Sequence, residues 1–300
     1  MKNYFLLLFA MLVATSASAQ FYVSGSTGYA TGSAKTKFGE EITATKTKNA
    51  YGSYGEGINF QVRGGYYFNE TFGVDLGIAY LHGDDQTVTK VNIPNYRITD
   101  AKARARAFGF SPSLVYKFTN KIYGRFGALI KVGGKTEAVV SDKNYMYDEA
   151  NGITISQALS LPEGSYTQTN YKADFHGKLP LGFVGALGYK YDFNDNFGLF
   201  IEAEYMGISV KRDDSELSEF NTDVMLPDGT VAVAGLYTMD NLPDGYVKKT
   251  KYVDTLDNAT IASNGDAPYP AKKLAERVPY SSFGINFGLT YTFAKSKSKE

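Results

Sequence analysis

One phrase recurs three times along this chain: GGYYFNETFGVDLGIAYLHG from Gly64, LVYKFTNKIYGRFGALIKVGG from Leu114, and LGYKYDFNDNFGLFIEAEYMG from Leu187. Each is an alternating stretch, a tight polar turn and a second alternating stretch. A period of two marks an extended strand with one apolar and one polar face. The turns Asn69-Glu70-Thr71, Thr119-Asn120-Lys121 and Asn194-Asp195-Asn196 are rich in residues that tolerate left-handed angles and bond their own backbone. Three hairpins on one plan commit the chain to antiparallel sheet.

Adding an alternating stretch near each end predicts eight strands, at 21–31, 57–68, 72–82, 104–118, 122–133, 178–193, 197–210 and 280–293. The other connections are long: 32–56, 83–103, 134–177 and 211–279. Short and long links therefore alternate strictly. A soluble sandwich has no reason to sort its loops in this way. A bacterial transmembrane barrel does, with short periplasmic turns and longer external loops. The faces agree. Ile58, Phe60, Val62, Tyr66 and Phe68 share one side of the second strand, and Asn59, Gln61, Arg63 and Tyr67 share the other. Tyr66, Phe68, Phe72, Tyr116, Phe118, Tyr189, Tyr191, Phe193, Tyr291 and Phe293 crowd the short-turn end, where an interfacial girdle belongs. The predicted fold is all-β: an eight-stranded antiparallel transmembrane β-barrel with short periplasmic turns and long extracellular loops.

The N-terminus, MKNYFLLLFAMLVATSASAQ, has a positive charge at Lys2, an apolar stretch and small residues Ala17-Ser18-Ala19. It reads as a secretory signal peptide over 1–19, cleaved after Ala19. The barrel is expected over 20–293, followed by a short polar periplasmic tail over 294–300. Lys+Arg and Asp+Glu each number 31, so loss of Lys2 leaves a formal charge of −1. That balance argues against nucleic acid as a partner. The chain has no cysteine, which excludes disulfide staples, thiol chemistry and Cys-ligated metal.

The last strand, GINFGLTYTF, ends on a polar residue, a glycine two further on and an aromatic pair closing in Phe. These positions are Asn286, Gly288, Tyr291 and Phe293. They resemble the C-terminal assembly signal of outer-membrane barrels, which implies recognition by the barrel-insertion machinery. Ala294–Glu300 follow the signal here, whereas it normally stands at the very end. In strand count, alternation and turn placement the chain resembles the small eight-stranded OmpA/OmpX-type barrels, without an appended peptidoglycan-binding domain. The resemblance implies contact with outer-membrane lipid and lipopolysaccharide; it fixes architecture far better than function.

An eight-stranded barrel is just wide enough for side chains to fill its interior. Inward positions include Asn59, Gln61, Arg63, Asp75, Arg125, Lys131, Lys190, Asp192, Glu202 and Glu204. Buried charges need partners, so Arg63, Asp75, Arg125, Lys131, Glu202 and Glu204 are expected to interlock as a salt-bridge plug or to form a gate that passes small ions. Arg63 and Asp75, nearly equidistant from one turn, are expected to face each other. For catalysis the candidates are thin. His82 stands beside Asp84 and Asp85, His176 lies at another strand end, and neither reproduces a known dyad. No HExxH spacing or GxSxG elbow is present, and no cofactor or metal site is indicated. Loop carboxylates in DDSELSE offer at most a weak Ca²⁺ site.

Outside, Lys102, Arg104 and Arg106 alternate with Ala on the face of Phe108 and Phe110. Their cations suit lipopolysaccharide phosphates or, equally, acidic loop residues. TDVMLPDGTVAVAG reads as a hairpin. Related turns at Leu242–Gly245 and Leu161–Gly164 suggest an exposed β-rich collar whose edges suit a binding partner. The sequence therefore leads to a non-enzymatic outer-membrane protein acting through its loops on an extracellular or host ligand. A small ion or solute channel is the alternative, and a rim hydrolase using His82 is a weaker one.

Overall fold

The computed structural model describes residues 20–33, 36–257 and 271–293, so the expected signal peptide (1–19) and polar tail (294–300) lie outside the described residues. The strands, in chain order, begin with β1 (Gln20–Gly32), β2 (Thr36–Thr43), β3 (Thr47–Gly52), β4 (Gly57–Tyr67), β5 (Phe72–Gly83), β6 (Gln86–Ile93) and β7 (Arg97–Lys117). Next come β8 (Ile122–Asn144), β9 (Met146–Asp148), β10 (Ile153–Thr154), the short helix α1 (Ile155–Leu159), β11 (Tyr166–Gly177), β12 (Leu181–Asp192) and β13 (Phe197–Gly207). The last are β14 (Ser209–Met225), β15 (Val231–Thr238), β16 (Lys249–Val253), β17 (Ala271–Leu274), β18 (Arg277–Pro279) and β19 (Ser282–Thr292).

Eight of these close a barrel in the order β1-β4-β5-β7-β8-β12-β13-β19, and β19 pairs back onto β1, every contact being antiparallel. Closure leaves no unpaired backbone edge, the condition for placing sheet in lipid. Alternation decides the two faces. On β4, Ile58, Phe60 and Val62 are 46%, 52% and 67% exposed, whereas Asn59, Gln61 and Arg63 are 3%, 7% and 4% exposed. Leaving one such apolar side chain in water forgoes about 1.5–3 kcal/mol. A continuous outer belt of them is sensible only against hydrocarbon.

The three short turns share one device. Asn69 Oδ1 accepts from Thr71 N and Phe72 N, both at 2.8 Å. Thr119 Oγ1 accepts from Lys121 N and Ile122 N at 3.1 and 2.9 Å. Asn194 Oδ1 accepts from Asn196 N and Phe197 N, both at 2.9 Å. Rings gather at this end: Phe72 lies 5.0 Å from Tyr116, and Tyr291 lies 4.9 Å from Phe197 and 5.0 Å from Phe293.

The opposite end departs from the expected loops. β7 and β8 do not stop at the membrane but run for 21 and 23 residues. At about 3.3 Å per residue β8 is roughly 75 Å long, well beyond a hydrocarbon core of about 30 Å even when tilted. β8 changes partner on the way up. It pairs with β12 as far as Leu181↔Ile130, then with β11 from Phe175↔Thr136 to Thr167↔Asn144. β14 adds to β11, and β15 adds to the upper part of β14. On the other side β6 lines β7, β2 runs parallel to β6, and β3 follows β2. The described parts of segments 32–56, 83–103, 134–177 and 211–279 are thus largely a tall wall, β3-β2-β6-β7-β8-β11-β14-β15, braced low on β14 by β16 and β18. The expected LPDG hairpin is β14–β15, closed by Leu226 N donating to Thr230 O at 2.8 Å.

Candidate functional site

Period two aims seven polar side chains of four strands at one level of the lumen. Glu202 on β13 is wholly buried and is the hub. Arg63 Nη1 donates to its two oxygens at 3.0 and 2.9 Å, Arg125 Nη2 donates to Oε1 at 2.9 Å, and the Tyr123 hydroxyl donates to Oε2 at 2.9 Å. Glu204, two residues on, accepts from Arg125 Nη2 and from Gln61 Nε2 at 2.8 Å and Asn286 Nδ2 at 3.3 Å. Two guanidinium groups therefore bind two carboxylates, with amides and a phenol filling the remaining lone pairs. That mutual pairing is what lets charges persist where burial alone costs several kcal/mol per ion, though Arg125 Nε and Asn286 Oδ1 are buried without a hydrogen-bond partner among the described residues.

Two expected members stand elsewhere. Asp75 does not face Arg63: the ladder pairs Arg63 with Gly77 and Asp75 with Gly65. Asp75 instead accepts from the Tyr22 hydroxyl at 3.2 Å. Lys131 lies above the cluster, its ammonium donating to Gly134 O at 3.2 Å and sitting 6.0 Å from the Tyr280 ring centre. Lys190 and Asp192 pair with each other at 2.8 Å near the periplasmic turn.

Three participants escaped the sequence reading: Tyr22, Tyr123 and Phe200, whose ring lies 5.1 Å beneath the Arg63 guanidinium. Glycines opposite them were the available signal. A Cβ on Gly65 would stand 2.2 Å from the Tyr22 ring, on Gly188 2.3 Å from Tyr123, and on Gly288 2.3 Å from Phe200. Each large inward ring lies flat over a cross-strand glycine, as sheets often arrange.

Above the charges the lumen becomes apolar. Leu129, Val184, Ile208, Val210 and Tyr280 form a buried cluster with Tyr54 from the first loop and Ala103, Ala105 and Ala107 of β7. Tyr280 is held by its hydroxyl, 2.5 Å from Thr136 Oγ1, and Tyr54 packs 5.5 Å from it. Between the two layers is a cavity of about 60 Å³, lined by Leu81, Leu129, Met206 and Ile208. The barrel thus holds two side-chain layers in series, a charged one and an apolar one.

The assembly-signal positions also act within the closed barrel. Asn286 belongs to the charge cluster, Gly288 makes room for Phe200, and Phe293 N donates to Phe21 O at 2.9 Å across the closure. On the outer face Lys102, Arg104 and Arg106 do alternate with buried alanines. Their charges are largely met locally. Lys102 pairs with Asp100 at 3.1 Å, Arg104 with Glu137 at 3.1 Å and Asp85 at 3.6 Å, and Arg106 donates to Gly83 O at 2.7 Å. His82 rests 6.4 Å from the Tyr80 ring while Asp84 accepts from Tyr29. His176 Nδ1 lies 2.8 Å from Asp214, itself 3.7 Å from Lys251. DDSELSE is part of β14, and its Asp213 and Glu216 pair with Lys251 and Lys249 at 2.9 and 3.3 Å.

An apolar outer belt around a closed, polar-filled barrel defines a membrane-spanning β-barrel. The family description "outer membrane protein beta-barrel domain" matches residues 5–156, just over half of the chain, and the chain belongs to that family. It is an outer-membrane protein. No curated protein matches the sequence. Among solved structures, the attachment invasion locus protein Ail of Yersinia pestis is 10% identical, with 92% of this chain and 97% of that chain covered and a TM-score of 0.27. A FadL homologue of Pseudomonas aeruginosa is 11% identical, with 93% and 90% covered and a TM-score of 0.25. Likeness at that level carries no argument about activity.

Proposed function

We propose that this protein is a closed, non-enzymatic barrel that displays a β-sheet wall at the cell surface for contact with an extracellular or host partner. The observation that supports this most is the filled lumen beneath the wall: an interlocked Arg–Glu cluster under an apolar cluster. A barrel so filled serves as a pedestal. At the rim His82 lies against the Tyr80 ring while Asp84 is taken by Tyr29, and the exposed His176–Asp214 pair is met by Lys251, which favours structure over hydrolysis. Lipopolysaccharide contact belongs to the same reading. Arg106, with no carboxylate partner among the described residues, is the cation best placed for phosphate, and the barrel-insertion machinery is the expected reader of Asn286 to Phe293.

The test is single-channel recording of refolded protein in a planar bilayer, paired with collar excision. The wild type is expected to insert, to show the heat-dependent gel mobility shift of such barrels, and to stay closed. Replacing 212–276 by a short linker is expected to preserve insertion and to abolish binding of whole cells to an extracellular surface. Stable openings of the wild type would instead establish the channel.

A further inference from the structure

A pocket of about 580 Å³ opens at the end of the wall, where β7 begins, β8 ends at Asn144 and β11 starts at Tyr166. That volume lies in the range of small-molecule sites, roughly 300–1,000 Å³. It is built mostly from connections, yet main-chain bonds tie these together. Pro94 and Asn95 make the turn between β6 and β7, with Asn95 at φ 58°. Tyr145 N donates to Tyr96 O at 3.0 Å, and Ile155 N donates to Tyr145 O at 2.8 Å. Leu161 N donates to Ser156 O at 2.9 Å, and Ser165 N to Pro162 O at 3.1 Å. A Cβ on Gly164 would stand 3.6 Å from the Pro227 ring, so the LPEG turn rests on the LPDG turn of β14–β15. The pocket is therefore preformed, which spares a ligand the cost of ordering it.

Unspent polar groups set its chemistry. Among the described residues, the Asn95 amide and the Glu163 carboxylate, both on the pocket wall, have no hydrogen-bond or ion-pair partner. Gln157 spends Oε1 on Thr154 N at 3.0 Å and keeps its amide N–H groups. Tyr145 and Leu161 add apolar surface, and no lining residue is cationic.

We propose that this pocket binds a neutral sugar unit of a surface glycan. The proposal rests on the surface-display reading and gives its partner a chemistry. Exclusion decides the class. An anion would meet Glu163 with no cation in the lining to offset it. An apolar ligand would strip water from the Asn95 amide and the Glu163 carboxylate and return no hydrogen bond. An ammonium suits Glu163 but only donates, so the amide N–H groups of Asn95 and Gln157 would gain nothing from it. A sugar hydroxyl both donates and accepts. Adjacent hydroxyls fit the two oxygens of Glu163, the amides serve the next hydroxyls, and the C–H face of the ring finds Tyr145 and Leu161.

The experiment uses the full mature chain refolded in an amine-oxide detergent, which presents no sugar of its own. Saturation-transfer NMR is run with glucose, galactose, mannose and N-acetylglucosamine, and with methyl phosphate and lysine methylamide as anionic and cationic comparisons. At least one sugar is expected to give saturable transfer, and the two charged compounds none. Glu163→Gln and Asn95→Gly are each expected to weaken that binding about tenfold, while the heat-dependent mobility shift shows an intact barrel. Glycine suits the φ 58° turn, so the second variant removes the amide and keeps the backbone. No binding by any of the four sugars, binding unchanged in both variants, or binding of a charged compound in their place each overturns the proposal. If no sugar binds while whole-cell binding is still lost on excision of 212–276, the sugar site falls and the display reading stands. If sugar binds as expected while excision leaves whole-cell binding intact, the site stands and the display reading falls.

Discussion

Glu202 is the residue on which the lumen turns, because two guanidinium groups and a phenol converge on its carboxylate. Glu202→Gln keeps the shape but takes from Arg63 the carboxylate it binds, and from Arg125 one of two, in a buried place. Breaking one side of such a cluster costs about 3–5 kcal/mol. Urea unfolding followed by gel mobility should show a loss of that size. Lys131→Met is the control: with no carboxylate bound to it, its effect should stay within about 1 kcal/mol. Gly288 tests packing at the same level. Its alanine variant would drive a methyl group into the Phe200 ring, 2.3 Å away, and overpacking of this kind costs about 1–3 kcal/mol. Adding Phe200→Leu should restore only part of that loss, because the Gly25 carbonyl oxygen also stands 2.5 Å from the new methyl group. If the pair is no better than Gly288→Ala alone, the glycine matters for another reason.

At the scale of an element, β8 joins barrel and wall, and its outer half is tied to β7 and β11 by charge. Glu137 pairs with Arg104, and Lys135 bridges Glu137 and Asp174 at 3.1 and 2.9 Å. Partial burial pushes the Glu137 carboxyl up, but hydrogen bonds from Lys135 and Arg104 outweigh it and hold the group below the usual carboxylate range. A depressed folded-state pKa gives stability that is present above the unfolded value and is lost as pH falls through the folded one. Hydrogen exchange of β8 amides over 136–144 should therefore quicken below the ordinary glutamate range, and Glu137→Gln should remove that step. The same strand shows where sequence reading stopped. Gly133-Gly134 looks like a terminator, and the prediction ended β8 there. It is a bulge: the register shifts between Phe108↔Gly133 and Gly109↔Lys131, Gly134 takes φ 89°, and the ladder continues. Alternation placed Asn59, Gln61, Arg63, Glu202 and Glu204 inward correctly because it depends only on period. It could not fix Arg63 against Asp75, since a register error of two residues keeps both on the same face. Nor could it foresee Tyr54, which reaches the cap from a connection with no periodicity to read.

For the whole molecule, the order of the two lumen layers decides what a lumen variant can reveal. The charge cluster lies toward the short turns, and the apolar cluster of Leu129, Ile208, Val210, Tyr54 and Tyr280 closes the other end. Loosening the first leaves the second, and an apolar constriction bars ions by excluding water even where a pore is open on either side. Glu202→Gln alone should therefore insert less stably yet remain non-conducting. Tyr280→Ala alone opens the cap but leaves both Arg–Glu pairs in place, and should also be closed. Combined, the two should give stable openings in a planar bilayer, recorded only from protein that keeps its heat-dependent mobility. Two closed singles and a conducting double are the signature of barriers in series. If Glu202→Gln conducts by itself, the cap is no barrier, the charges are the gate, and the barrel is a channel rather than a pedestal.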